Sequence, residues 1–325
     1  MENRNFLVLD GGLGSALIRA GFDIDEDPLW GGKVLIENPD AVKTIHKRYV
    51  ILSGRKYEAN HISGSLDCTL TLKQSAKKII FTVTIEGLCQ HYDLNQSEAV
   101  SLIYKAVKIA RDACDEVSST NVGCQEKLLV AGSVGPYGAC LHDRSEYTGD
   151  YVDSMTVQEL MDWHRPRIDA LLQAGVDMLA METIPAQKEA EALVQLLKEF
   201  PSAKAWLTLS CRDGSHTCHG EMFSDVVQNV VRQSTQVVAV GVNCTFPLYV
   251  KPLLQSIKGK VDLPFVVYPN SGEMLKDGTM DSSRKVQLHS LVDGWIEAGA
   301  VWIGGCCLTK PEDIVKIREV VDKHR

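Results

Sequence analysis

No stretch of the sequence approaches the roughly 20 consecutive apolar residues that a helix needs to cross a bilayer, so no membrane-spanning helix is expected. Positive charge is also in deficit: 34 Lys and Arg stand against 42 Asp and Glu, for a formal charge of -8. Nucleic acids and anionic membranes are bound by clustered cations, so neither is an expected partner and a small molecule is. The opening MENRNFLVLDGG lacks a basic segment followed by an apolar run and a small-residue cleavage site. A cytoplasmic location is therefore expected. A dinucleotide fingerprint is missing as well. Gly11-Gly12-Leu13-Gly14 follows a strand-like run, but its spacing is not G-x-G-x-x-G.

What the chain does contain is a repeated unit. Short, apolar, often β-branched runs end in small or chemically capable residues: Phe6 to Leu9 before Asp10, Leu128 to Ala131 before Gly-Ser-Val-Gly-Pro, and Met178 to Met181 before Glu182. Ala205 to Ser210 then precedes Cys211, Val237 to Val242 precedes Asn243-Cys244, Pro264 to Tyr268 precedes Pro-Asn270-Ser-Gly-Glu, and Val301 to Ile303 precedes Gly-Gly-Cys306-Cys307. Continuous apolar strands alternating with helical segments imply parallel βαβ units. Ala99, Leu102, Ile103, Ala106, Ile109, Ala110 and Ala113 form one helical stripe, and Thr156 with Glu159 forms a capping box for another helix that stops at Gly175.

Seven such strands point to an eighth, placed at Ile79 to Ile85, between a first helix at about Ala41 to Leu52 and one starting near Ser97. The expected fold is α/β, a single (β/α)8 TIM-type barrel over residues 1–325, with an atypical segment at about 54–83 that makes the second strand irregular. In such a barrel the carboxyl ends of the strands converge on one face, where catalytic groups sit.

At that face the sequence brings unusual chemistry. Adjacent Cys306 and Cys307 need an irregular backbone to work together, and Gly304-Gly305 offers that freedom. With Cys244 they make a three-thiolate cup that favours Zn2+ in a reducing compartment and leaves a fourth position for an incoming ligand, naturally another sulfur. Alkylation of a substrate thiol is the chemistry this predicts, with no catalytic residue beyond the zinc centre. Asp10 and Glu182 suit the ammonium of an amino-acid substrate, although capping of a following helix, or pairing with a nearby Arg or Lys, accounts for either equally well. The backbone N–H groups of Gly11 and Gly12 suit its carboxylate. Asn270 either orients the zinc ligands or meets the methyl donor, and a turn alone also explains it. The run Cys211-Arg-Asp-Gly-Ser-His216-Thr-Cys218-His219 has a metal-like composition, but its spacing fits no usual zinc pattern and it is expected to line the barrel mouth.

The ordered motifs DGGLGS, GSVGPYG, METIP, GVNC, YPNSGE and GGCC closely resemble the homocysteine S-methyltransferase family, from about Val8 to the C-terminus. The resemblance implies a zinc-binding barrel in which Cys244, Cys306 and Cys307 hold the metal and Asp10 and Glu182 bind the homocysteine amino group. The chain's length implies a sulfonium donor, S-methylmethionine or S-adenosylmethionine. It departs from the family at the end of strand two: a Thr-Asn-Thr-Tyr-Gln-Ala-like segment is replaced by Ser53-Gly-Arg-Lys-Tyr57-Glu-Ala-Asn60. Competing readings are a zinc-binding barrel with little catalysis, a betaine-using enzyme, and a redox protein built on Cys306 and Cys307. The sequence leaves the oligomeric state open.

Overall fold

The computed structural model describes residues 6–24, 27, 31–54, 76–79, 85–120, 128–273 and 281–325. Eight parallel strands lie in the order β1-β8-β7-β6-β5-β4-β3-β2. They are β1 (Leu7–Val8), β2 (Ala76–Ile79), β3 (Leu129–Val134), β4 (Met178–Ile184), β5 (Ala205–Leu209), β6 (Val237–Asn243), β7 (Phe265–Tyr268) and β8 (Ala300–Ile303). First and last strands are neighbours, and helices separate successive strands, as expected of a (β/α)8 barrel. The helices are α1 (Leu13–Arg19), α2 (Gly31–Glu37), α3 (Pro39–Gly54), α4 (Ile85–Tyr92), α5 (Gln96–Thr120), α6 (Val157–Gln173), α7 (Gln187–Leu197), α8 (Phe223–Gln233), α9 (Pro247–Ile257), α10 (Val292–Ala298) and α11 (Pro311–Val321). No helix among the described residues is long and apolar enough to span a membrane.

Two expectations need correction. The second strand ends at Ile79, where it was expected to begin, and Ile85 opens α4. Pairing of Ala76 to Ile79 with Leu129 to Gly132 sets this position, and the two lysines in the segment hid it from a search for apolar runs. Residues 55–75 and 80–84, most of the atypical segment, lie outside the described residues. In addition, α3 is not the first helix, because the short α1 and α2 precede it. The capping box of Thr156 and Glu159 starts α6, and Gly175 follows its end at φ +85°.

Side-chain alternation sorts the strands into two cores. Val8, Val130, Leu179, Leu207, Val240 and Val267 pack outward with the helices. Leu7, Leu9, Ala131, Ala180, Trp206, Ala239, Val266 and Tyr268 pack together as the inner face. Small residues on β3, β4 and β6 leave room for Trp206, which meets Trp302 edge-on at 5.9 Å. The period of two then aims Ser133, Glu182, Thr208 and Asn243 inward as well, above this layer.

The link from β3 to α6 folds as three 3-10 turns, Tyr137–Leu141, Ser145–Tyr147 and Asp150–Asp153. A buried polar network on α6 and α7 fixes it. Glu189 accepts the Tyr137 backbone N–H at 2.7 Å and the Tyr151 hydroxyl, and lies 2.9 Å from His164 Nε2. Arg167 donates to the Gly135 carbonyl at 2.7 Å and lies 3.0 Å from His164 Nδ1. Arginine only donates, so Nδ1 is the acceptor and Nε2 carries the proton of a neutral ring. Burial holds the His164 pKa below its ordinary value despite the nearby Glu189.

Two predictions follow from this packing. Gly241 on β6 sits so close to β7 that a Cβ would overlap the Val266 carbonyl oxygen. Gly241→Ala is expected to destabilise the protein by on the order of 2 kcal/mol or more in urea denaturation, and an unchanged midpoint would contradict the packing. For His164 the folded pKa lies below the unfolded value of about 6.5. The unfolded chain therefore takes up the proton first, so stability is complete above pH ~6.5 and falls as the pH drops below it. His164→Gln should flatten the loss of stability between pH 7 and pH 5 relative to the unaltered protein.

Candidate metal and substrate site

Three sulfurs converge where β6 and β8 end. Those of Cys244, Cys306 and Cys307 all lie within 4.8 Å of one another, the one group among the described residues placed to hold a metal ion. Cys244 and Cys306 are joined as a disulfide with Cα atoms 5.7 Å apart, and Cys307 Sγ lies 3.8 Å from Cys244 Sγ. The structure pairs Cys244 with Cys306, whereas the redox reading is built on Cys306 with Cys307. Cys244 reaches Cys306 across the barrel mouth.

The backbone that makes this possible differs from the one expected. Gly304 and Gly305 are absent from the left-handed region, which is occupied instead by Cys244 at φ +44° and Leu308 at φ +64°. The glycines are needed for close approach: a Cβ on Gly304 would fall 2.9 Å from the Asp10 carbonyl oxygen, and the Gly305 N–H donates to that oxygen at 3.1 Å. The cysteine pair is held from the other side by the β7 turn. Cys306 N–H donates to the Pro269 carbonyl at 2.9 Å, and Ser271 N–H to the Cys307 carbonyl at 3.1 Å. Within that turn Asn270 Oδ1 accepts the Gly272 N–H at 2.9 Å. The turn thus accounts for the carbonyl half of the Asn270 side chain.

Both strand-end carboxylates are buried, Asp10 at 6% and Glu182 at 3% exposure. Neither is a helix cap: α1 starts from Gly12 and α7 from Ala186, each without a side-chain capping bond. Glu182 lies within β4 at a register shift between Met181 and Ile184. Such bulges re-aim side chains. Ser133 Oγ donates to Glu182 at 2.5 Å. The Tyr268 phenol also reaches it, while hydrogen-bonded to Trp206 and Thr208, and burial pushes the pKa of that phenol far up.

One contributor escaped the sequence reading. Asn243 is fully buried, and its carboxamide spans two strands: Oδ1 accepts the Thr183 N–H at 2.7 Å and Nδ2 donates to Thr183 Oγ1 at 2.7 Å. Nδ2 also approaches Cys306 Sγ at 4.0 Å. Thr183 sits at φ +62°, a strained region for a β-branched residue. The paired hydrogen bonds hold it there, immediately after Glu182. One amide thus ties the carboxylate on β4 to the sulfurs on β6 and β8. Its presence within GVNC was the available signal, but nothing in one sequence names its partner.

The Cys211 to His219 run does not assemble a ligand set. It folds as a hairpin with Cys211 opposite Thr217. His216 pairs with Asp213 at 3.0 Å, and His219 with Glu221 at 2.9 Å and Asp153 at 3.3 Å. Burial drives the Cys211 pKa well up, keeping it a neutral thiol.

The family profile described as homocysteine S-methyltransferase matches residues 7–321. The homocysteine S-methyltransferase YbgG of Bacillus subtilis is 38% identical over 98% of this chain and 95% of its own. A betaine-homocysteine S-methyltransferase of Drosophila melanogaster is 35% identical over 99% and 96%. Among solved structures, the homocysteine methyltransferase MmuM of Escherichia coli superposes with a TM-score of 0.82 at 36% identity, covering 98% of this chain and 97% of that one, in both its metallated and its oxidised form. The chain is a methyltransferase and belongs to the homocysteine S-methyltransferase family.

Proposed function

We propose that this protein transfers a methyl group from a sulfonium donor, S-methylmethionine or S-adenosylmethionine, to the thiol of homocysteine, giving methionine, with Zn2+ held by Cys244, Cys306 and Cys307 in the cytoplasm. The observation that carries the reading is the gathering of three sulfurs within 4.8 Å of one another at a barrel mouth that also holds two buried carboxylates. The all-thiolate donor set suits zinc, with a fourth position for the substrate. When bound, the metal supplies the Lewis acidity that keeps a substrate thiol deprotonated near neutral pH.

The remaining work falls to the chain itself. Asp10 and Glu182 take the substrate ammonium, and the Gly11 and Gly12 N–H groups take its carboxylate. The turn at Asn270 braces the cysteine pair. With the acceptor so fixed, the methyl carbon is displaced in line: a new carbon–sulfur bond forms on homocysteine as the donor's breaks, and the bonding pair stays on the donor sulfur as a neutral thioether. Positioning supplies most of the rate in such a transfer. The Drosophila relative favours a second donor, betaine, whose transferable methyl likewise sits on a cationic centre, a quaternary ammonium.

Two outcomes are expected. Reduced, zinc-loaded protein should form methionine from homocysteine with S-methylmethionine or S-adenosylmethionine and more slowly with betaine, measured by chromatography. Absence of methionine with every donor, with zinc bound, would make this a binding barrel instead. Asn243→Ala should weaken zinc binding by about 10- to 100-fold, the range found when groups supporting metal ligands are removed. It should also raise the homocysteine KM while circular dichroism stays unchanged, because Thr183 and Glu182 lose their tether. Metal affinity within twofold of the unaltered protein would disprove that role.

A further inference from the structure

Beside the cysteine cup, the turn Ser145–Tyr147 carries two side chains with no role so far. Tyr147 packs against the cluster that contains Cys244, Cys306 and Cys307, and its hydroxyl interacts with the Cys307 thiol. Glu146 is half-buried and close enough for its charge to act on that phenol. Its Oε2 is shielded from solvent yet accepts no hydrogen bond among the described residues. A buried carboxylate oxygen without a donor is unfavourable and calls for a partner. Burial holds the Glu146 pKa above the usual carboxylate range, and nearby Asp143 adds repulsion that Arg144 partly relieves.

The turn is held firmly in place. Ser210 Oγ at the end of β5 donates to the Glu146 carbonyl at 3.4 Å, and Tyr147 N–H donates to the Arg144 carbonyl at 2.9 Å. Gly138 packs so closely beneath that a Cβ there would lie 2.6 Å from the Glu146 nitrogen. Such a turn presents its side chains at a fixed point beside the cup. A methyl donor must bring its positive centre next to the acceptor sulfur, and a sulfonium has no N–H to donate. Only negative charge or an aromatic face can recognise it.

We propose that Glu146 and Tyr147 form the subsite for the sulfonium centre of the methyl donor, Glu146 by opposing charge and Tyr147 by its ring. The assignment rests on the methyltransferase reading above. It also gives a use to a carboxylate oxygen that is buried without a hydrogen bond beside Tyr147: the cation that completes it arrives with the donor.

The test reads binding, so it does not depend on turnover. S-methylmethionine and methionine, which differ by the sulfonium methyl, are titrated calorimetrically into reduced, zinc-loaded protein, with zinc content measured for each variant. The unaltered protein should bind S-methylmethionine at least about tenfold more tightly than methionine, and Glu146→Gln should remove most of that difference. Tyr147→Leu should reduce the preference as well, while Tyr147→Phe, which keeps the ring, should retain it. Zinc content and homocysteine affinity should hold in Glu146→Gln. Three results would overturn the subsite: a preference unchanged in Glu146→Gln, no preference in the unaltered protein, or loss of donor binding only together with zinc. A protein that shows the preference but forms no methionine keeps the subsite and loses the catalytic reading.

Discussion

The site depends on bringing together the ends of two strands that are not neighbours. Adjacent strands run about 4.8 Å apart, so β6 and β8, with β7 between them, would stand roughly 10 Å apart in a flat sheet. The Cα atoms of Cys244 and Cys306 are only 5.7 Å apart. Barrel curvature closes part of that gap. The rest is closed locally, where the left-handed Cys244 turns the chain across the mouth and its N–H donates to the Tyr268 carbonyl. On β8 the approach of Gly304 and Gly305 to β1 lets the cysteine pair fold inward. An open sheet with the same sequence motifs at its strand ends would have no cup.

Convergence concentrates negative charge. Once the Cys244–Cys306 bond is reduced, three sulfurs share one poorly solvated region with Asp10 and Glu182, and each group ionised there raises the free energy of the others. Neutral hydrogen-bond donors offset part of this: Ser133 and Tyr268 serve Glu182, and the Asn243 amide nears Cys306. Full compensation requires cations, and the proposed reaction brings three: a divalent metal, the substrate ammonium and the donor sulfonium. In that reading the order of the site reflects their separation, with zinc at the sulfurs, the ammonium at the β1 and β4 carboxylates and the sulfonium toward Glu146 on the outer turn.

The sequence told much about this architecture because barrel strands are apolar on both faces and announce themselves as runs. Seven of the eight strands lie on the predicted runs, with ends shifted by a few residues, and the three cysteines stand together as expected. What it hid are relations between distant residues. Glu189 reads as an ordinary helix-surface acid in QKEAEALVQLL, and only the fold shows it fully buried against Tyr137, Tyr151 and His164. Asn243 reads as a strand terminator until Thr183 is seen at 2.7 Å. The expectation that Gly304 and Gly305 bend the chain was reasonable from composition, but glycine serves close packing as well as unusual φ, and sequence does not separate the two.

The disulfide between Cys244 and Cys306 sharpens the choice between thiol redox chemistry and methyl transfer. A dithiol needs two sulfurs and an accessible oxidant, and it gives no use to a third sulfur, two buried carboxylates or an amide that ties them together. A three-thiolate metal site uses all of these, and because its sulfurs must sit within a few ångströms, two of them are necessarily poised to bond when no metal keeps them apart. The E. coli relative superposes equally well in its metallated and its oxidised form, each at a TM-score of 0.82. In this chain the three sulfurs lie within 4.8 Å of one another, close enough either to share a metal ion or to join Cys244 to Cys306, so the disulfide is no argument against the proposed metal.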